Sequence, residues 1–255
     1  MNILEDFSLR GKRAVVTGGG KGIGRGIALC LAEAGADVLV TARTETEINS
    51  VAEEINSLGS TGHARVADVT QSGALDALAS DAAEVMGGLD IWVNNAGGLP
   101  DGTPRYLTRT ESEQWQAQID LNLTAVFHGC VAAAAHMGEG SSIINISSTA
   151  ARGGQLKNGP YGASKAAVNS LTETFSLELA PKIRVNAISP GPVPTQNFID
   201  SVGYEGERKD MIDKQMRIPL GRIGSERDIG AAVVYFASPA ASWVTGQVLL
   251  VNGGR

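Results

Sequence analysis

Short apolar runs alternate with stretches of helical periodicity from Arg13 to Val251. Runs such as Val38-Leu-Val40 and Ile143-Ile-Asn-Ile146 suit strands buried on both faces of a parallel sheet. Between them, apolar positions recur at helical spacing, as in Gly26-Ile-Ala-Leu-Cys-Leu-Ala-Glu-Ala34, which ends at Gly35. The pattern predicts strands over 13–17, 37–42, 62–67, 89–94, 141–147, 183–189 and 246–251. It predicts helices over 22–34, 45–58, 71–86, 111–137, 160–179 and 226–237. No linker, charge run or low-complexity tract interrupts the alternation, so one α/β domain over residues 1–255 is expected. The rhythm breaks from Pro190 to Pro219, a length typical of lids and binding loops. A solvated insertion with some helix of its own is the other reading, and Gly203-Tyr-Glu-Gly206 looks turn-like within it.

A chain of 255 residues can bury a sizeable core without covalent staples. Its two cysteines, Cys30 and Cys130, fall in predicted helices and read as small buried residues, which fits a reducing compartment. The opening Met1-Asn-Ile-Leu-Glu-Asp-Phe7 is too short and acidic for a signal peptide. No stretch reaches the roughly 20 apolar residues of a membrane span, so a cytoplasmic setting is expected. A net charge of −6 without a basic stripe argues against nucleic acid. His63, His128 and His136 are scattered without ligand spacing, and no metal is expected.

Candidate chemistry begins with Tyr161 and Lys165, four residues apart in a predicted helix and therefore on one face. A phenol normally titrates at about pH 10, and an ammonium one turn away is expected to lower that value. Such a tyrosine can give a proton to a carbonyl oxygen or take one from an alcohol. Ser148, thirteen residues earlier, can hydrogen-bond the same oxygen. The pair alone also fits an ordinary helix surface. What tips the balance is Thr17-Gly-Gly-Gly-Lys-Gly-Ile-Gly24, set between a predicted strand and a predicted helix. That order places a pyrophosphate on a helix N-terminus. Gly18, Gly22 and Gly24 lack the Cβ that would block a tight turn and close phosphate approach. Their spacing departs from the six-residue G-x-G-x-x-G fingerprint.

These segments, with Asn94-Asn-Ala-Gly97, Asn122 and Pro190-Gly191, resemble the single-domain short-chain dehydrogenase/reductases, from Leu9 to the closing Val251-Asn-Gly-Gly254. The resemblance implies a Rossmann-like, doubly wound parallel sheet of about seven strands with helices on both faces. By the same resemblance Tyr161 is the acid/base, Ser148 polarises the carbonyl, and Lys165 lowers the tyrosine pKa and holds the nicotinamide ribose. Asn122 would fix a water that links Lys165 to solvent; an amide simply bonded to backbone is its other reading. Ser147 rivals Ser148 for the serine role, and the family spacing favours Ser148.

The resemblance also supplies the nucleotide contacts: Gly18, Gly20, Lys21, Gly22, Ile23 and Gly24 in the turn, Arg43 and Thr44 after the second strand, and Asp68 and Val69 after the third. Asn95, Ala96 and Gly97 close strand four at the ligand edge. The turn at Pro190, Gly191, Val193 and Thr195 would grip the carboxamide, and the stretch 190–219 would be the substrate loop. Ala42 stands where NAD-preferring relatives carry aspartate, and Arg43 follows. With Lys21 it offers two cations for a 2′-phosphate, so NADPH is expected over NADH.

The expected substrate is a small ketone or secondary alcohol, with a 3-oxoacyl or hydroxysteroid reductase as narrower readings. Arg105, Arg152 and Lys157 could border its pocket or be solvated charges, the preferred reading. Relatives that accept carrier proteins show basic residues leading into strand five. Here that segment is His136-Met-Gly-Glu-Gly140, which puts carrier binding in doubt. An enoyl reductase would space its Tyr and Lys more widely. By the same resemblance the helices 111–137 and 160–179 would pair about a two-fold axis, with the C-terminal strand region forming a second contact, giving a homotetramer. A non-catalytic NADP(H)-binding redox sensor is the alternative, and it would need no Ser-Tyr-Lys set.

Overall fold

Seven strands form a single parallel sheet in the order β3-β2-β1-β4-β5-β6-β7 in a computed structural model of the chain. The structure describes residues 2–100, 102–154, 156–195, 199 and 217–254. Most of the expected substrate loop, with the turn-like segment 203–206, lies outside the described residues. The strands are β1 (Arg13–Thr17), β2 (Asp37–Ala42), β3 (Gly62–Val66), β4 (Leu89–Asn94), β5 (Met137–Ile146), β6 (Ile183–Pro190) and β7 (Val248–Val251). Helices α1 (Gly22–Glu33), α2 (Glu45–Ser57), α3 (Ala74–Met86), α4 (Ser112–Ile119), α5 (Ala125–His136), α6 (Gly159–Leu179) and α7 (Glu226–Ala237) connect them. This is the doubly wound arrangement the sequence implies.

Alternation along each strand divides the core in two. Ala14 and Val16 of β1, with Ile91 and Val93 of β4, face α1, α2 and α7. Val15 and Trp92 face the other way, against α3, α5 and α6. The buried Trp92 indole donates to Asn94 Oδ1 (2.7 Å), Asn94 Nδ2 to Asn145 Oδ1 (2.9 Å), and Asn145 Nδ2 to Thr172 Oγ1 (3.0 Å). This buried chain of bonds joins β4, β5 and α6 with each donor matched to an acceptor.

The expected helix over 111–137 is instead three pieces. A π-helical turn, Asp120–Thr124, separates α4 from α5. Such a turn adds a residue without redirecting the helix, so apolar spacing stays nearly helical and the sequence does not reveal it. Extended backbone then begins directly at Met137, four residues before the expected strand. α3 starts at Ala74 rather than 71 because Gly73 takes a left-handed conformation, φ 74°. The remaining bounds agree to within two residues, and those of α7 coincide.

Candidate active site

The sheet order reverses between β1 and β4, and the crevice beyond their C-terminal ends is where ligands bind in such sheets. Thr17, the last residue of β1, knits its floor. Its hydroxyl donates to Val93 O (3.2 Å) and accepts from the backbone N–H groups of Asn95 (3.0 Å) and Ala96 (3.1 Å). Asn95 Nδ2 returns to Thr17 O (2.8 Å) and Gly18 O (3.1 Å). The glycine turn and the Asn94-Asn-Ala-Gly97 segment are thus one rigid unit.

Gly18 and Gly22 adopt φ of +63° and +52°, a region that favours glycine. At Gly24 the constraint is space: a Cβ would lie 2.1 Å from Gly18 O and 2.5 Å from Asn95 Nδ2. α1 begins here with Ile23 in its first turn. No side chain caps it and its first turn holds no acid. Its first N–H groups therefore remain for an anion, and a dinucleotide pyrophosphate fits this cradle. Around it, Arg43 and Thr44 are exposed, and Thr44 opens α2 without a side-chain cap bond. Asp68 accepts from the Thr70 backbone N–H (3.0 Å) and hydroxyl (2.7 Å). The backbone bond is the main cause that holds its carboxyl below the usual range, with the Arg43 charge adding to it. Val69 is half-buried against the α3 side of the core.

Ser148, Tyr161 and Lys165 meet at the same edge of the sheet. Tyr161 lies in the first turn of α6, directly after Pro160 at the helix's second position. Ser148 follows β5, accepts from Ala150 N (3.1 Å), and neighbours the Tyr161 phenol. Ser147 is turned away, donating to Lys165 O (3.2 Å). Lys165 Nζ is buried, donates to Ile146 O (2.9 Å), and sits 5.7 Å from the Tyr161 ring centroid. Burial lowers the Lys165 pKa to about 8.

The expectation that Lys165 depresses the Tyr161 pKa is not met. Burial pushes the phenol above its ordinary value, and the neighbouring Ser148 hydroxyl offsets only part of that. The ammonium is engaged by the Ile146 carbonyl and faces the ring.

Asn122 occupies the π turn and is fully buried. Its Oδ1 accepts from Gly98 N (2.8 Å), and its Nδ2 reaches Gly98 O (2.9 Å), Gln118 O (3.1 Å) and Gln118 Oε1 (2.9 Å). These are the bonds of the backbone-bonded reading, with the Gln118 side-chain amide as an added partner. A Cβ on Gly97 would sit 2.9 Å from Asn122 Oδ1 and 3.1 Å from Lys165 Nζ. Gln118 and the Thr17 hydroxyl are the residues sequence reasoning missed here. The i,i+4 spacing of Gln118 and Asn122 could have signalled their amide pair; nothing local marks Thr17 as a hub.

The Pro190–Thr195 turn closes the far side. Gly191 N donates to Val251 O (2.9 Å), Val193 is buried, and Thr195 N bonds Val193 O (2.8 Å). Thr195 Cγ2 would be 3.2 Å from a Cβ on Gly22, so this turn abuts the glycine cradle. A cavity of about 220 Å³, open to solvent, lies between the residues after β4, α4 and the start of α6. Leu99, Pro100, Arg105, Lys157, Asn158 and Pro160 are on its wall, and Asn158 Oδ1 is buried without a partner. Arg105 and Lys157 thus border a cavity, whereas Arg152 is exposed and off that wall. Among the described residues, no His/Cys/Asp/Glu group could hold a metal. Among the same residues, no helix is long and apolar enough to cross a membrane.

A family model described as enoyl-(acyl carrier protein) reductase matches residues 18–255. The 7α-hydroxysteroid dehydrogenase of Escherichia coli (strain K12) is 37% identical, over 98% of this chain and 96% of that one. A solved 7α-hydroxysteroid dehydrogenase, complexed with NADH and 7-oxo glycochenodeoxycholic acid, superposes with a TM-score of 0.91 at 36% identity, covering 100% of this chain and 98% of that one. A short-chain dehydrogenase from Burkholderia cenocepacia J2315 in complex with NADP gives 0.86 at 34% identity, over 96% and 98%.

Proposed function

This chain belongs to the short-chain dehydrogenase/reductase family of oxidoreductases, and we propose that it interconverts a ketone and a secondary alcohol with NADP(H). The observation that supports this reading is the convergence of Ser148, Tyr161 and a buried Lys165, whose ammonium lies over the Tyr161 ring, at the mouth of the crevice that the glycine cradle floors. When bound, the nicotinamide supplies or accepts the hydride. Gly18, Gly20, Gly22, Ile23 and Gly24 would hold its pyrophosphate, Asp68 and Val69 its adenine, and Lys165 its ribose. Asn95, Ala96 and Gly97 form the floor, and Pro190, Gly191, Val193 and Thr195 would clasp the carboxamide. Ser148 donates to the substrate oxygen as negative charge builds there, and Tyr161 gives up its hydroxyl proton to complete the alcohol. Asn122 acts by fixing Gly98, and with it the loop that lines the cavity.

Arg43, Thr44 and Lys21, with Ala42 in place of an acid, favour NADPH, although the solved relatives carry either dinucleotide. The substrate is a small ketone whose oxygen meets Ser148 and Tyr161, with the cavity bordered by Leu99 and Pro160 beside them taking the rest of the molecule. Within that class a hydroxysteroid is favoured over a carrier-bound 3-oxoacyl group, since the exposed side chain in the first part of β5 is the acidic Glu139 rather than a basic one. The four-residue Tyr161–Lys165 spacing argues against enoyl reduction. A homotetramer is part of the same reading. Absorbance assays of a panel of ketones and alcohols with NADPH and NADH test it. Turnover of at least one ketone, faster with NADPH, is the expected result. Equal or better use of NADH refutes the cofactor assignment, and no turnover with either favours a redox sensor.

A further inference from the structure

Lys21, which opens α1 beside the glycine turn, is already paired. Its ammonium lies 3.3 Å from Glu47 Oε1, with 65% of the lysine side chain and 33% of the glutamate side chain exposed. Glu47 stands in the first turn of α2 and packs on the turn itself. A Cβ at Gly20 would be 3.0 Å from Glu47 Cβ and 3.3 Å from Glu47 Oε2. A carboxylate is therefore held at the rim of the turn, where it neutralises the Lys21 ammonium. It is not needed to join the two helices, because Arg25 and Glu54 already bridge α1 to α2.

We propose that Glu47 sets the dinucleotide specificity of this site by holding Lys21 in a neutral pair that a 2′-phosphate must break. The inference rests on the Gly18–Gly24 turn being the nucleotide site. Exposed ion pairs are weak, which lets a phosphate dianion compete for Lys21. A nucleotide with a free 2′-hydroxyl makes no claim on Lys21 and leaves the pair intact. Glu47 thereby narrows the margin by which 2′-phosphorylated nucleotides are preferred.

Calorimetric titration tests this without turnover. Wild type, Glu47→Gln, Lys21→Ala and the double variant are titrated with NADP⁺, NAD⁺, 2′,5′-ADP and 5′-AMP. Glu47→Gln keeps the side chain's length and removes its charge. Affinity for NADP⁺ and 2′,5′-ADP should rise about three- to fivefold, with NAD⁺ and 5′-AMP unchanged and the gain absent from the double variant. An unchanged ratio of NADP⁺ to NAD⁺ affinity in a natively folded Glu47→Gln, checked by circular dichroism, overturns the proposal whichever dinucleotide wild type prefers. So does a Lys21→Ala that binds NADP⁺ as wild type does. If none of the four nucleotides binds wild type, the nucleotide-site reading itself falls and takes the proposal with it.

Discussion

The Thr17 hydroxyl sits at the end of β1 among three backbone groups: one carbonyl it donates to and two N–H groups it accepts from. Replacing it with valine keeps the shape and leaves the Asn95 and Ala96 N–H groups without their acceptor. Each buried unsatisfied donor costs about 1–3 kcal/mol, so Thr17→Val should lose roughly 2–4 kcal/mol in urea unfolding while Thr17→Ser stays near wild type. A Thr17→Val variant within about 0.5 kcal/mol of wild type would remove the hub from this account. Lys165 carries a second prediction. Its folded pKa, about 8, lies below the ordinary 10.5, so between those values the unfolded chain binds more protons. Stability must then rise with pH across that window, the cost of burying the ammonium being full below about 8 and relieved as the pH approaches 10.5. Tyr161 and the two buried cysteines titrate higher than usual and pull the other way. The difference between wild type and Lys165→Met isolates the lysine. That difference, read from urea midpoints at stepped pH, should move in favour of wild type as pH rises; a flat difference would contradict it.

Elements were legible where a local signal marks their ends. α7 has a Ser225–Asp228 capping box at its start, with Asp228 N on Ser225 Oγ (3.3 Å) and Ser225 N on Asp228 Oδ2 (2.7 Å). Its bounds matched expectation. The glycine turn was legible for a similar reason, since left-handed backbone at Gly18 and Gly22 requires a residue that the sequence displays. The π turn was not, because an extra residue within a continuous helix leaves no polar or glycine mark. Yet that turn carries Asn122, which fixes Gly98 and packs against Gly97 beside Lys165. The Lys21–Glu47 pair was hidden for another reason: its partners stand on different helices, 26 residues apart.

At the scale of the molecule, the alternation of apolar runs marked the strands and helices, and the family resemblance implied the doubly wound sheet into which they assemble. What the chain does with its outer surface was not marked by that alternation. Phe127 and Val131 of α5 are 42% and 44% exposed, Leu177 of α6 81%, and Trp243, ahead of β7, 99%. β7 ends the sheet, with Leu249 and Leu250 partly open. Two separate apolar faces suit two isologous contacts and hence a tetramer. Light scattering at micromolar concentration should give about four times the 26.4 kDa of one chain; a monomer would refute it.

Turnover of the best ketone by Tyr161→Phe tests the central claim most directly. The substitution keeps the ring over Lys165 and deletes the proton. General acid catalysis is typically worth about 10²–10⁴-fold, so the rate should fall by that much while NADPH affinity, measured by titration of the same protein, stays close to wild type. A Tyr161→Phe variant that reduces the ketone at near wild-type rate would contradict the account, because the proton would then come from another group.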